Sequence, residues 1–216
     1  MTESAATTDQ ISAQIERLID LGVPTLAGIS DEEFRALGAS LSLGEGADAY
    51  EGRFAVVVHP DLVAAGALAP LLRRGDKPGF VVQDMTDLEE FVPIEGLEVP
   101  AGPLYLVRDP QRGADLLSWS PAEALPEITG RGRRAMTISE GISWLLQAPD
   151  ELVRGECFMT IGLRKRKAKG LDARTPAIWI SNGTGRDGRE RRDAPKVGWC
   201  WANNRHTWLG FGSVAV

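Results

Sequence analysis

The sequence predicts an α+β protein, mixed α/β in detail. Its N-terminal half is helix-rich with a few buried strands, and its C-terminal half is an antiparallel β-sheet. Three features carry this. Apolar residues recur at helical spacing early in the chain, as at Ile11, Ile15, Leu18 and Ile19. Phe54-Ala-Val-Val-Val58, closed by His59-Pro60, is a continuous apolar run that suits a strand buried on both faces. From Glu156 onward the chain turns to β, ending in Lys196 to Phe211, KVGWCWANNRHTWLGF.

Taken in order, residues 1–8 are expected to be disordered, and a first helix follows, stopped by Gly22 and Pro24. Ser30 and Glu33 form a capping box, ahead of a helix with Phe34, Leu37 and Leu41 on its buried side. Leu43 to Gly52 reads as a glycine-bearing loop. After the Phe54 strand, Leu62–Arg74 is helical in its second half, with Leu68, Leu71 and Leu72 inward. Phe80–Val82 and Leu104–Val107 read as strands, separated by an acidic, irregular segment with one helical turn. Ser120-Pro121 opens another helix with proline at the tolerated first position. Thr137 and Glu140 form a second capping box, before a helix with a stripe of Ile138, Ile142, Leu145 and Leu146 and an end at Pro149. Strands follow at Cys157–Gly162 and Ala177–Ser181. Residues 9–130 and 131–216 thus form two halves that dock as one unit, with a boundary near residues 110–135.

Lys196 to Phe211 holds three of the six tryptophans, one of the two cysteines and one of the two histidines. It reads as a hairpin turning at Asn203-Asn204, since asparagine tolerates positive φ better than most residues. Alternation then puts Trp199, Trp201, His206 and Trp208 on one face and Cys200 and Thr207 on the other. That aromatic face is either core packing or a binding platform with His206, Asn203 and Asn204 at its rim.

Composition bounds the function. Of 216 residues, 43% are hydrophobic and 25% charged, ordinary for a soluble globular protein. No apolar run is long enough to span a membrane, and MTESAATTDQ lacks the marks of a signal peptide. Two widely spaced cysteines make no disulfide framework, so the expected address is a reducing cytoplasm. The net charge of −6 hides a split, −14 over residues 1–130 and +8 over residues 131–216. Either the halves present opposite potentials to partners, or the acidic half docks on the basic one.

Gly183-Thr-Gly-Arg-Asp-Gly188 spells the glycine pattern of a dinucleotide-binding turn. The polar Arg189-Glu-Arg-Arg-Asp-Ala-Pro195 that follows gives no apolar helix to receive a pyrophosphate, which excludes the Rossmann reading. What remains is a glycine–arginine loop that either wraps an anion or pairs its charges internally. Arg164, Lys165, Arg166 and Lys167 are expected at a hairpin tip; with Lys169, Arg174, Arg186, Arg189, Arg191 and Arg192 they make ten basic residues in 29 positions. Basic loops beside an aromatic sheet suit single-stranded nucleic acid or a phosphorylated ligand. His59, Cys157, Cys200 and His206 are too few and too scattered for a metal motif, so neither metal nor cofactor is expected. A Cys200–His206 nucleophilic pair is disfavoured by the hairpin register, which separates the two.

The stretch TPAIWISNGTGRDGRERRDAPKVGWCWANNRHTWLGF, with ECFMTIG and TISEGISWLLQAPD before it, resembles an uncharacterised family of actinobacterial proteins of unknown function. LIDLGVPTLAGIS and LLRRGDKPGFVVQDM extend the likeness over nearly the whole chain. The resemblance implies a bacterial cytosolic protein and carries over no activity. The expectation is therefore a binding protein whose basic, tryptophan-rich C-terminal face engages nucleic acid or a phosphorylated small molecule. The alternatives are a small enzyme using His206 or Cys200 beside an aromatic pocket, and a module that docks on another protein's acidic surface.

Overall fold

The computed structural model describes residues 3–41 and 52–216, without the side chains of residues 3–6. In chain order the elements are α1 (Glu3–Asp20), α2 (Val23–Ala27), α3 (Asp31–Ala39), β1 (Phe54–Val58), α4 (Ala65–Leu68), β2 (Arg73–Arg74), β3 (Lys77–Pro78), β4 (Phe80–Val81), β5 (Val92–Pro93), β6 (Leu104–Gln111), α5 (Pro121–Gly130), β7 (Arg133–Ala135), α6 (Ile138–Gln147), β8 (Cys157–Met159), β9 (Leu163–Arg164), β10 (Arg174–Ile180), β11 (Pro195–Trp201), β12 (Leu209–Phe211) and β13 (Ser213–Ala215). The fold is α+β. The loop expected over Leu43–Gly52 lies outside the described residues except for Gly52. The helix begins at Glu3, so residues 3–8, expected to be disordered, are helical. Apolar periodicity starts only at Ile11 and gives no signal for the turns ahead of it.

Two larger sheets organise the chain. The first has the order β1-β6-β13-β7, and the second β12-β8-β10-β11-β4. Each draws strands from both halves of the sequence: β13 inserts between β6 and β7, and β4 joins the edge beyond β11. The C-terminal sheet is antiparallel at its centre, β8-β10-β11, but both outer pairs, β12–β8 and β11–β4, are parallel. Edge strand β1 is completely buried, and its outer backbone is satisfied by side chains. Gln14 on α1 donates to the Phe54 carbonyl at 3.2 Å and accepts from the Val56 amide at 2.8 Å. Ser143 Oγ accepts from the Val58 amide at 3.1 Å. Such clamps leave no template for edge-to-edge pairing.

Helix α6 is more than an amphipathic face: every residue from Ile138 to Leu146 is buried. It lies between the sheets, close enough to the second that a Cβ at Gly141 would meet Ile178 and Phe158 at 3.1 Å. Phe158, Ile178, Ile180 and Val197 face this main core. The other face of the second sheet presents Cys157, Met159, Ala177, Leu209 and Phe211 to a smaller core closed by Ala124 and Ile128 of α5. The same alternation decides which site residues meet.

Candidate functional site

Lys196–Phe211 is not a hairpin. β11 pairs with β10 and β4, whereas β12 pairs with β8, on the far side of the sheet. A two-residue Asn-Asn turn needs positive φ at both residues, and neither Asn203 nor Asn204 has it. Instead the Asn204 amide closes a turn onto the Trp201 carbonyl at 3.0 Å, leaving both asparagines exposed, and the chain crosses a wider loop. That loop is fixed from elsewhere: the Ser118 amide donates to the His206 carbonyl at 2.7 Å, and Arg205 pairs with Glu123 at 2.5 Å.

The expected single aromatic face is therefore divided. Trp199 and Trp201 stand edge to face at 4.6 Å on the α6 side of β11, with the Arg174 guanidinium 5.9 Å from the Trp199 ring. His206 and Trp208 pack at 5.3 Å on the opposite side, where Cys200 also points. Cys200 and His206, expected on opposite faces, are in contact, Sγ to Nε2 at 2.7 Å. Burial pushes the Cys200 thiol up and the His206 imidazole down, so both are neutral around pH 7. No side chain among the described residues bonds the other ring nitrogen of His206.

The basic residues also separate into two groups. At the tip of β9, Lys165 pairs with Asp87 at 2.7 Å and Glu90 at 3.0 Å, and Lys167 pairs with Asp172 at 2.8 Å. Arg164 donates to the Asp172 carbonyl at 2.7 Å, and Arg174 bridges Asp87 and Asp172. The Arg174 guanidinium, and then Lys165, hold the Asp87 carboxyl down at about 2. Here the acidic half docks on the basic half, and of Arg164–Lys167 only Arg166 has no side-chain partner among the described residues, its backbone bridging Leu171.

The glycine–arginine loop differs. Its base is a buried staple: Ser181 Oγ accepts from the Gly183 amide at 3.0 Å and donates to Asp187 at 2.8 Å, while Asp187 also takes Lys196 Nζ at 2.7 Å. Lys196 Nζ sits 4.8 Å over the Trp179 ring. Gly183, at φ +66, lies so close to the returning strand that a Cβ there would come within 2.5 Å of Arg192 Cβ. Two short 3₁₀ turns, Gly185–Asp187 and Arg189–Arg191, carry the arginines outward. Arg191 packs 4.5 Å over Phe80, and Arg186, 78% exposed, reaches Asp84 only at 3.5 Å. Exposed Arg189 and Arg192 have no carboxylate partner among the described residues. The β2–β3 hairpin adds Arg74, 3.9 Å from Asp193, whose carboxylate also pairs with Arg154.

Beside this loop a cavity of about 280 Å³ opens between Trp179 and Trp208, with Arg154, Asn182 and Cys157 on its walls. Arg154 is anchored by Asn182 Oδ1 at 2.6 Å, and burial pushes the Cys157 thiol up to about 11. The cavity joins two tryptophan rings, the Asn182 amide and the Arg154 guanidinium, while Arg186, Arg189 and Arg192 lie on the adjoining loop and not on its walls. Arg154, Trp179 and Asn182 carried no signal in the sequence, because their place comes from the crossing of β10 and the loop before β8.

One comparison places the chain among relatives by its sequence. A family described as "Family of unknown function (DUF5701)" matches residues 17–216. The chain belongs to that family. The match includes both the loop and the tryptophan cavity, so the candidate site lies in the family's shared region. No curated protein and no solved structure matches the chain. Among the described residues, no helix is long and apolar enough to cross a membrane, and no group of three or more His, Cys, Asp or Glu is placed to hold a metal ion.

Proposed function

We propose that this member of the DUF5701 family is a non-catalytic, cytoplasmic binding protein for a nucleotide unit, free or within a single strand. Its base stacks at Trp208 and its phosphates meet Arg186, Arg189 and Arg192. The observation that carries the reading is the surplus of cation in the glycine–arginine loop: among the described residues Arg189 and Arg192 lack carboxylate partners, unlike Lys165, Lys167 and Arg174 at the β9 tip. The 280 Å³ tryptophan-lined cavity next to that loop supports it. Fluorescence titration with nucleoside mono- and triphosphates tests the proposal. Trp208→Ala should weaken binding at least tenfold, as loss of base stacking does. Trp201→Ala, on the opposite face, should leave it unchanged; equal losses in the two variants would refute the assignment.

A second reading rests on the 2.7 Å contact between Cys200 and His206, the spacing of a nucleophile and its base. Against it, both groups are held neutral and the imidazole has no orienting side-chain partner among the described residues. The pair is the better candidate for a structural contact that seats Trp208.

A further inference from the structure

A different cavity, about 430 Å³ in volume, lies at the N-terminus of α6, between the first sheet and the β5–β9 ribbon. Its walls are apolar, with Leu88, Phe91, Val99 and Leu163 among them, and Tyr105 forms one side. Its polar lining includes the acidic residues Asp61 and Glu89 as well as hydrogen-bond donors. Helix geometry leaves the Ile138 and Ser139 amides without intrahelical partners, while Thr137 Oγ1 already takes the Glu140 amide at 3.2 Å. Ser139 is 3% exposed, lines the cavity, and its hydroxyl bonds no protein group among the described residues. The hydroxyl is open to the cavity and free to bond an occupant. Opposite, the Asp61 amide donates to His59 Nδ1 at 3.1 Å, with Asp61 Oδ2 3.5 Å from the same nitrogen. The nearby acids do not fill this role. Glu140 is committed to Arg134, the Thr137 amide and Tyr105; Glu89 accepts from the Gly66 amide at 3.0 Å; the Asp61 side chain is 92% exposed.

We infer that this cavity is a binding site for a small, largely apolar carboxylate. The carboxylate caps the α6 N-terminus through the Ile138 and Ser139 amides and the Ser139 hydroxyl, and the hydrocarbon lies against Leu88, Phe91 and Leu163. A helix N-terminus favours an anion by its dipole as well as its free amides. The apolar walls select against hydrated inorganic anions, which separates this site from the arginine loop.

The test is an amide-resolved NMR titration of the whole protein with octanoate, and with octanol as the uncharged control. Octanoate should give saturable shifts centred on Ile138, Ser139 and His59, with octanol at least tenfold weaker. Ser139→Ala should weaken octanoate about tenfold, in line with loss of a hydrogen bond to a charged group. Val99→Phe, which fills the cavity from its half-buried rim, should abolish the shifts while leaving nucleotide titrations at the arginine loop unaltered. Octanol binding as tightly as octanoate, no saturable shift with octanoate, or an unaffected Ser139→Ala variant would each overturn the inference.

Discussion

At the scale of single residues, the Cys200–His206 pair separates what local pattern encodes from what it does not. Alternation along β11 was legible: Cys200 does point away from Trp199 and Trp201. The place of His206 was not, because Ser118 and Glu123, 80-odd residues earlier in the chain, hold its loop through contacts no local spacing reports. Its chemistry follows from burial. A raised thiol is protonated at neutral pH and becomes a thiolate only above its ordinary range, and a depressed imidazole stays uncharged through neutrality. Iodoacetamide labelling of Cys200 in native protein should therefore be slow at pH 7 and rise only above the ordinary thiol range. His206→Ala should not slow it. Fast labelling below pH 7 that His206→Ala abolishes would favour the nucleophilic reading instead.

Among the elements, α6 bears the most weight. Its capping box was legible because Thr137 and Glu140 sit at a fixed local spacing, as do Ser30 and Glu33 ahead of α3. What spacing could not say is that Glu140 is fully buried and also bonds Arg134 and the Tyr105 hydroxyl. Burial, and then the Glu140 charge, push the Tyr105 phenol far up, so it stays a donor at any ordinary pH. Glu140→Ala would strand Arg134 inside the protein and should cost about 3–5 kcal/mol in urea denaturation. Glu123→Ala, at the exposed capping box that Ser120 and Glu123 form ahead of α5, should cost much less. The arginine loop is an element of another kind, held by its buried staple and by the tight pass at Gly183. Gly183→Ala, strained at φ +66 and pressed on Arg192, should loosen the loop, weaken phosphate binding and lower the unfolding midpoint. Amide exchange of residues 183–193 would report it. The turn that sequence placed at Asn203-Asn204 failed for a related reason: composition permitted positive φ, and tertiary anchoring did not require it.

For the whole molecule, the split of −14 and +8 was legible by counting, but its use was not. Part of it is internal docking, with Asp87 between Arg174 and Lys165. A carboxylate held at about 2 against an ordinary 3.8 contributes stability that is complete above 3.8 and is lost as pH falls through about 2. Asp87→Asn should therefore melt lower than wild type at pH 7, with the gap closing as the pH is taken through that window in a thermal series. Another part of the positive charge is the arginine loop, and the central claim is that it binds phosphate. The direct measurement is the salt dependence of a labelled single-stranded oligonucleotide for wild type and for the Arg189→Ser, Arg192→Ser double variant. Each phosphate contact contributes a slope of about −0.7 in log K against log salt. If the claim holds, the wild-type slope is near −2 and the double variant's is shallower by about 1.4, with weaker binding at every salt concentration. Absence of binding at low salt, or equal slopes for the two proteins, would contradict it.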